Sequence, residues 1–155
     1  MPEPMKFIVH WDNIDRKVRD LAARLDNKKP DLIIGLGRGG LVPAVMLSHH
    51  LEVPMEALMW QTRDGDFRSL NHLHDALVLH SYREGERILI VDDINDTGRA
   101  MLDITKIVEE RAQLNNWTYT YETAVLFERD TSAFKADYVA EQLEDDRWIQ
   151  FPWEV

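Results

Sequence analysis

Two short segments concentrate the residue types that can do chemistry. The first is Ile90-Val91-Asp92-Asp93-Ile94-Asn95-Asp96-Thr97-Gly98-Arg99-Ala100. An apolar run leads into two adjacent carboxylates. A third carboxylate, a threonine and a glycine follow where a helix is expected to begin. Backbone N–H groups in a first helical turn, the Thr97 hydroxyl and the Arg99 cation together make a cradle for an anion. Carboxylates beside such a cradle suit a sugar phosphate, because they accept hydrogen bonds from ribose hydroxyls while the cradle holds the phosphate. Adjacent strand residues point to opposite faces, so Asp92 and Asp93 are expected to do different jobs unless the strand ends before them. Helix capping and surface solvation are the plainer reading of three aspartates.

The second segment is Gly35-Leu36-Gly37-Arg38-Gly39-Gly40. Read literally it is the G-x-G-x-x-G dinucleotide fingerprint. That reading also needs an acidic residue about 20 positions on, at the end of the next strand. Glu56 has the spacing but falls near the start of its strand. A looser reading survives, in which a glycine-rich turn offers backbone N–H groups to a phosphate and Arg38 adds a fixed cation. A plain tight turn is the alternative. The strand ending in Asp92-Asp93 also resembles a Walker B strand, but no G-x-x-x-x-G-K-[ST] accompanies it, which argues against a P-loop nucleoside triphosphatase. His49-His50 and His72-Leu73-His74 lack the second cluster that a four-ligand zinc site requires.

Elements that place both segments at strand ends can be read along the chain. Lys6–Val9 reads as a short strand, followed by a helix opening near Trp11 with Asp12 as a plausible N-cap. Ile14, Val18, Leu21, Ala22 and Leu25 recur at helical spacing, and Pro30 stops the pattern. Residues 31–36 read as a buried strand, 41–51 as a helix with Pro43 in its first turn, and 55–60 as a strand. Residues 61–74 are polar without a period and read as a long mobile loop. Ala76–His80 is a candidate strand, 87–92 a buried strand, 98–114 a helix, 118–127 a strand, and 138–140 a short last strand. The aromatic-rich tail from Asp145 reads as irregular. Strands alternating with helices predict a parallel α/β sheet, whose ligands bind beyond the carboxyl ends of the strands. Loops 37–40 and 93–98 both lie at such ends.

With 155 residues, 45% of them hydrophobic and 30% charged, the chain is sized for one globular domain. Its longest apolar runs fall far short of the roughly 20 residues of a membrane span. The start, Met1-Pro2-Glu3-Pro4, has no signal-peptide pattern, so a cytoplasmic location is expected. There is no cysteine, which excludes disulfides, thiolate zinc sites and thiol catalysis. A formal charge of −10 argues against nucleic acid as a partner. An acidic chain must bind an anionic ligand locally, through N–H groups, a few cations or a bridging metal.

Val91-Asp92-Asp93-Ile94-Asn95-Asp96-Thr97-Gly98 resembles the phosphoribosyl pyrophosphate (PRPP) motif of type I phosphoribosyltransferases. Phe7–Asp12, Gly37–Pro43 and Trp148–Trp153 resemble the bacterial xanthine-guanine members of that family, so the likeness spans nearly the whole chain. It implies an α/β fold, a central mostly parallel sheet flanked by helices, with a core over about 6–140, a small hood from about 141–155 and a mobile lid over about 61–74. It also implies a Mg2+-dependent transfer of the phosphoribosyl group of PRPP to a 6-oxopurine (guanine, xanthine or hypoxanthine), giving a nucleoside monophosphate and pyrophosphate, in a homodimer or homotetramer with no nucleic-acid or membrane partner.

By the same resemblance, Gly37, Arg38, Gly39 and Gly40 form the pyrophosphate loop, with a non-proline cis peptide at Gly37–Arg38. Asp92 and Asp93 bind the ribose hydroxyls directly or through Mg2+, with Asp93 the metal ligand. Asp96 faces the purine N7 as proton acceptor, and Asp96, Thr97, Gly98, Arg99 and Ala100 wrap the 5′-phosphate. Arg68, ahead of Arg63, reaches the pyrophosphate from the lid. Trp148 stacks on the purine, the Ile149 backbone touches its edge, and Trp153 packs in the core. Three departures stand out. Ala100 replaces the usual Thr or Ser of the phosphate loop. Arg129 stands where purine enzymes place a Lys that reads the 6-oxo group, so Arg129 is expected to bind the base. The chain ends at Val155, so an abbreviated hood is expected. The alternatives are transfer to another base, a nucleotide-sensing regulator of the same fold, or an inactive ribose-phosphate-binding module.

Overall fold

The apolar run that ends in the aspartates becomes the central strand of a five-stranded sheet. The structure, a computed structural model, describes residues 2–60, 67–80 and 85–154. In chain order the elements are β1 (Lys6–Ile8), α1 (Trp11–Leu25), a 3-10 turn at Asp26–Lys28, β2 (Leu32–Gly37), α2 (Leu41–Leu51), β3 (Met55–Met59), α3 (Phe67–His80), β4 (Arg87–Asn95), α4 (Arg99–Asn115), β5 (Thr120–Arg129), β6 (Tyr138–Leu143) and β7 (Trp148–Gln150). The sheet order is β3-β2-β4-β5-β6, and every pairing in it is parallel. β1 and β7 form a separate two-stranded parallel ribbon. This is the parallel α/β architecture expected from the strand–helix alternation.

Period-2 alternation sorts the core into two layers. Leu89 and Val91 of β4 pack with Ile33, with Ile14, Val18 and Leu21 of α1, and with Ala44 and Leu47 of α2. Ile88 and Ile90 pack on the other face with Leu73 and Leu77 of α3 and Met101, Ile104 and Val108 of α4. Both faces of the central strands are therefore covered, which is why β2 and β4 read as continuous apolar runs.

Several local expectations are corrected. Residues 67–80 form helix α3, not the end of a loop followed by a strand. Leu73, Ala76 and Leu77 are buried at helical spacing, and that stripe overrides the β-like run Ala-Leu-Val-Leu. Residues 61–66 lie outside the described residues. Helix α1 begins at Trp11 with His10 as N-cap rather than Asp12, and Asn13 Oδ1 accepts a 3.0 Å bond from the His10 N–H. The tail is not irregular throughout: β7 pairs Trp148, Ile149 and Gln150 with Lys6, Phe7 and Ile8. Stacking of Trp153 on Phe151, with centroids 4.7 Å apart, and a tilted contact of Trp11 with Trp153 at 6.0 Å tie this ribbon to the start of α1. Among the described residues no helix is long and apolar enough to cross a membrane.

Candidate active site

Strand β4 runs on to Asn95, so both aspartates belong to it. Alternation carries Asp93 to the same side as Leu89 and Val91, toward the start of α2. A Cβ at residue 39 would fall 1.9 Å from Asp93 Oδ2, which shows how closely the glycine turn approaches that carboxylate. Each aspartate bends back on the next amide: Asp93 N–H donates to Asp92 Oδ1 at 2.8 Å and Ile94 N–H to Asp93 Oδ1 at 2.7 Å. Burial, and then repulsion from Asp93, push the Asp92 carboxyl well above the ordinary range. Burial also raises Asp93, with Glu154 adding repulsion and the Ile94 amide partly offsetting it. Such a pair favours a cation or hydroxyl donors at its solvent edge.

The glycine turn has its own steric logic. The Gly37–Arg38 peptide bond is cis. A Cβ at Gly40 would meet Leu36 O at 2.6 Å, Val91 O at 2.7 Å and Asp92 Cα at 2.8 Å. Only glycine lets the start of α2 lie this close to β2 and β4. Arg38 is exposed at the rim of the turn.

Beyond Asn95 the chain turns at Gly98, whose φ of 91° is left-handed and suits glycine. A Cβ there would also meet Phe134 N at 2.6 Å. Helix α4 starts at Arg99, with the Arg99 N–H donating to Thr97 Oγ1 at 3.3 Å. Asp96, Thr97 and Arg99 are exposed, and Ala100 is half-buried. Residues 96–100 thus form the open N-terminal end of a 17-residue helix, where N–H groups and the helix dipole favour an anion.

Arg129 closes the far side. Its Nε donates to Asp96 Oδ1 at 2.6 Å, Nη1 to the Asp145 carbonyl at 3.0 Å and Nη2 to the Arg147 carbonyl at 2.8 Å. A cleft of ≈ 480 Å³ opens beside it, between Asp96 and Trp148. The Trp148 ring is 57% exposed, whereas Ile149 is buried in the core. Arg68 lies in α3, but its side chain and the whole of Arg63 fall outside the described residues.

A parallel sheet with a carboxylate pair, a glycine turn and a helix terminus at its carboxyl edge now stands beside known proteins. Residues 8–155 match the phosphoribosyl transferase domain family. The chain belongs to this family. It is 30% identical over 151 residues to a xanthine-guanine phosphoribosyltransferase of Idiomarina loihiensis, covering 97% of this chain and 88% of the relative. It is 29% identical over 161 residues to the enzyme of that name from Cereibacter sphaeroides, covering 100% and 90%. Among solved structures it resembles a purine phosphoribosyltransferase from Pyrococcus horikoshii, with TM-score 0.75, 29% identity and coverage of 97% and 95%.

The phosphoribosyltransferase fold here also uses residues that motif reading missed. Asn95 is 2% and Glu128 1% exposed. Asn95 Nδ2 donates to Glu128 Oε1 at 2.8 Å and to the Phe134 carbonyl at 2.7 Å, and its Oδ1 accepts from Ser132 Oγ at 3.0 Å. Ala133 N–H donates to the Thr97 carbonyl at 3.0 Å. Burial alone raises the Glu128 carboxyl, but bonds from the Ala136 N–H, Gln142 and Asn95, with Lys135 nearby, bring it below the usual glutamate range. This network braces the turn between β4 and α4 from behind. A polar Asn inside a strand, two residues past an aspartate, was its only signal in sequence.

Proposed function

We propose that this chain is a purine-salvage phosphoribosyltransferase that moves the phosphoribosyl group of PRPP to a 6-oxopurine, guanine, xanthine or hypoxanthine, releasing pyrophosphate. The observation that carries the reading is the convergence at one sheet edge of Asp93, the Gly37–Gly40 turn and the 96–100 helix terminus. The turn and Arg38 receive the pyrophosphate, Asp93 and, across the strand but close enough to repel it, Asp92 receive the ribose hydroxyls, and residues 96–100 receive the 5′-phosphate. Asp96 stands between phosphate turn and base cleft, positioned to accept the N7 proton as the glycosidic bond forms. Trp148 offers an exposed aromatic face to the purine. Arg68 is assigned to the pyrophosphate by family likeness alone.

Mg2+ fits this site. Asp92 and Asp93 are two adjacent oxygen donors whose proton affinity is raised first by burial and then by repulsion from neighbouring carboxylates, a repulsion that a bound cation would relieve. Mg2+ commonly shares one or two carboxylates with substrate phosphates, and the adjacent Asp92 and Asp93 supply that number. When bound, Mg2+ neutralises charge on the leaving pyrophosphate. We further propose that the enzyme works in the cytoplasm as a homo-oligomer.

A second reading, an inactive ribose-phosphate-binding module, is favoured by the guanidinium of Arg129 on Asp96. One experiment separates the two. The protein is incubated with PRPP, Mg2+ and guanine, xanthine, hypoxanthine, adenine or uracil in turn, and pyrophosphate is measured. Release with a 6-oxopurine supports transfer, and release with none favours the inactive module.

A further inference from the structure

The base cleft carries a charge that bears on which base enters it. Among the described residues five acidic residues line it, Asp96, Asp130, Glu144, Asp145 and Asp146, against one basic residue, Arg129. That cation is already spent. Three of its nitrogens hold Asp96 and the backbone carbonyls of Asp145 and Arg147. The two other cations nearby are also engaged. Arg147 grips Asp145 through contacts of 2.7, 2.9 and 2.6 Å, and Lys135 Nζ donates to the Asp130 carbonyl at 2.8 Å. Asp130, Glu144 and Asp146 form no ion pair among the described residues, and all three are exposed. A base stacked on Trp148 therefore meets an acidic rim from the turn after β4, the end of β5 and the segment before β7.

A field of this sign penalises an anion and favours N–H donors. Xanthine loses a proton near neutrality and enters as an anion above that point. Guanine stays neutral and presents N–H donors on its pyrimidine edge. Resting on the transfer reading above, we infer that the acidic rim makes this site discriminate against anionic purines, so that guanine is the preferred base and xanthine is used only in its neutral form. The rim residues that set this preference are Glu144, Asp146 and Asp130, with Arg129 acting as a clasp on Asp96 and the hood rather than as a free reader of the base.

The test compares kcat/KM for xanthine and guanine, with saturating PRPP and Mg2+, across the pH interval in which xanthine ionises. Protein titrations common to both reactions cancel in the ratio. The xanthine/guanine ratio is expected to fall by about tenfold per pH unit above the xanthine ionisation. In the Glu144→Gln/Asp146→Asn double variant it is expected to rise by at least about fivefold where xanthine is an anion, because two nearby like charges are gone. Both positions are exposed, so the fold tolerates the change. A ratio flat with pH, or unmoved by the double variant, overturns the inference. Calorimetric binding of GMP and XMP supplies a readout that needs no turnover. GMP is expected to bind at least about tenfold tighter at a pH where the XMP base is ionised, and XMP binding equal to GMP overturns the inference. If no base releases pyrophosphate, the transfer reading fails while the nucleotide comparison still decides the selectivity.

Discussion

Gly39→Ala and Gly40→Ala, one residue apart, are expected to fail in different ways. A methyl at residue 39 falls 1.9 Å from Asp93 Oδ2, 2.5 Å from its Cγ and 3.1 Å from its Oδ1. The obstacle is the end of a half-buried side chain rather than backbone, so the carboxylate can swing aside, breaking its 2.7 Å bond to the Ile94 N–H. The fold survives and the carboxylate is misplaced. If Asp93 serves the ribose or its metal, loss of one charge-assisted interaction costs about 1.5–3 kcal/mol, or about 10- to 150-fold in the PRPP dissociation constant. A methyl at residue 40 meets only backbone: Leu36 O, Val91 O and Asp92 Cα, all within 2.8 Å. Relief requires β2 or β4 to move, an overpacking cost of about 1–3 kcal/mol in stability. Thermal unfolding and calorimetric titration with PRPP and Mg2+ on both variants test the pair. Gly39→Ala binding PRPP like the unaltered protein, or unfolding as early as Gly40→Ala, refutes the assignment.

Asp96→Asn retains an oxygen for the 2.6 Å bond from Arg129 Nε, so the hood stays in place while the proton acceptor is lost. Turnover is expected to fall by about 100-fold or more with PRPP binding changed far less, and equal losses in both mark Asp96 as a binding group only. Glu128→Gln is expected to lower stability at neutral pH by about 1–3 kcal/mol, since it replaces one of the two oxygens that accept from Ala136, Asn95 and Gln142 with an amide donor. Because the Glu128 carboxyl is held below its ordinary value, its contribution is complete above the unfolded glutamate range and is lost as pH falls through the lowered value. Denaturant midpoints should therefore drop more steeply toward acid in the unaltered protein than in Glu128→Gln, and parallel curves count against the network. Ala100→Thr places a hydroxyl at the turn we assign to the 5′-phosphate and is expected to tighten PRPP binding by about 1 kcal/mol, checked by the same titration, with no change or weakening as the contrary result.

Central strands were legible because burial on both faces leaves a bare apolar signature, as in Leu32–Leu36 and Ile88–Val91. The turn from Asp92 to Ala100 was legible as a strand end leading into a helix because its residues are contiguous. Helix α3 was not, because the apolar run Ala76–Leu79 includes Val78, which is 44% exposed, and so blurs the stripe of Leu73 and Leu77 that packs with α4 and the sheet. β7 is three residues long, too short to show a period, and exists through pairing with β1 from the opposite end of the chain. Long-range polar partnerships were equally silent. Arg129 lies 33 residues from Asp96, and no local pattern announces that its guanidinium bridges that carboxylate to the hood. Asn95 and Glu128 are also 33 residues apart, joined only because β4 and β5 are register neighbours.

Calorimetric titration of the folded chain with PRPP in the presence of Mg2+, repeated on Asp93→Asn, tests most directly whether the β4–α4 turn grips a phosphorylated pentose. Saturable heat at one site, weakened by about tenfold or more when the Asp93 charge is removed, is the predicted result. A folded protein that yields no heat across a range of temperatures, or an Asp93→Asn chain that binds unchanged, contradicts it.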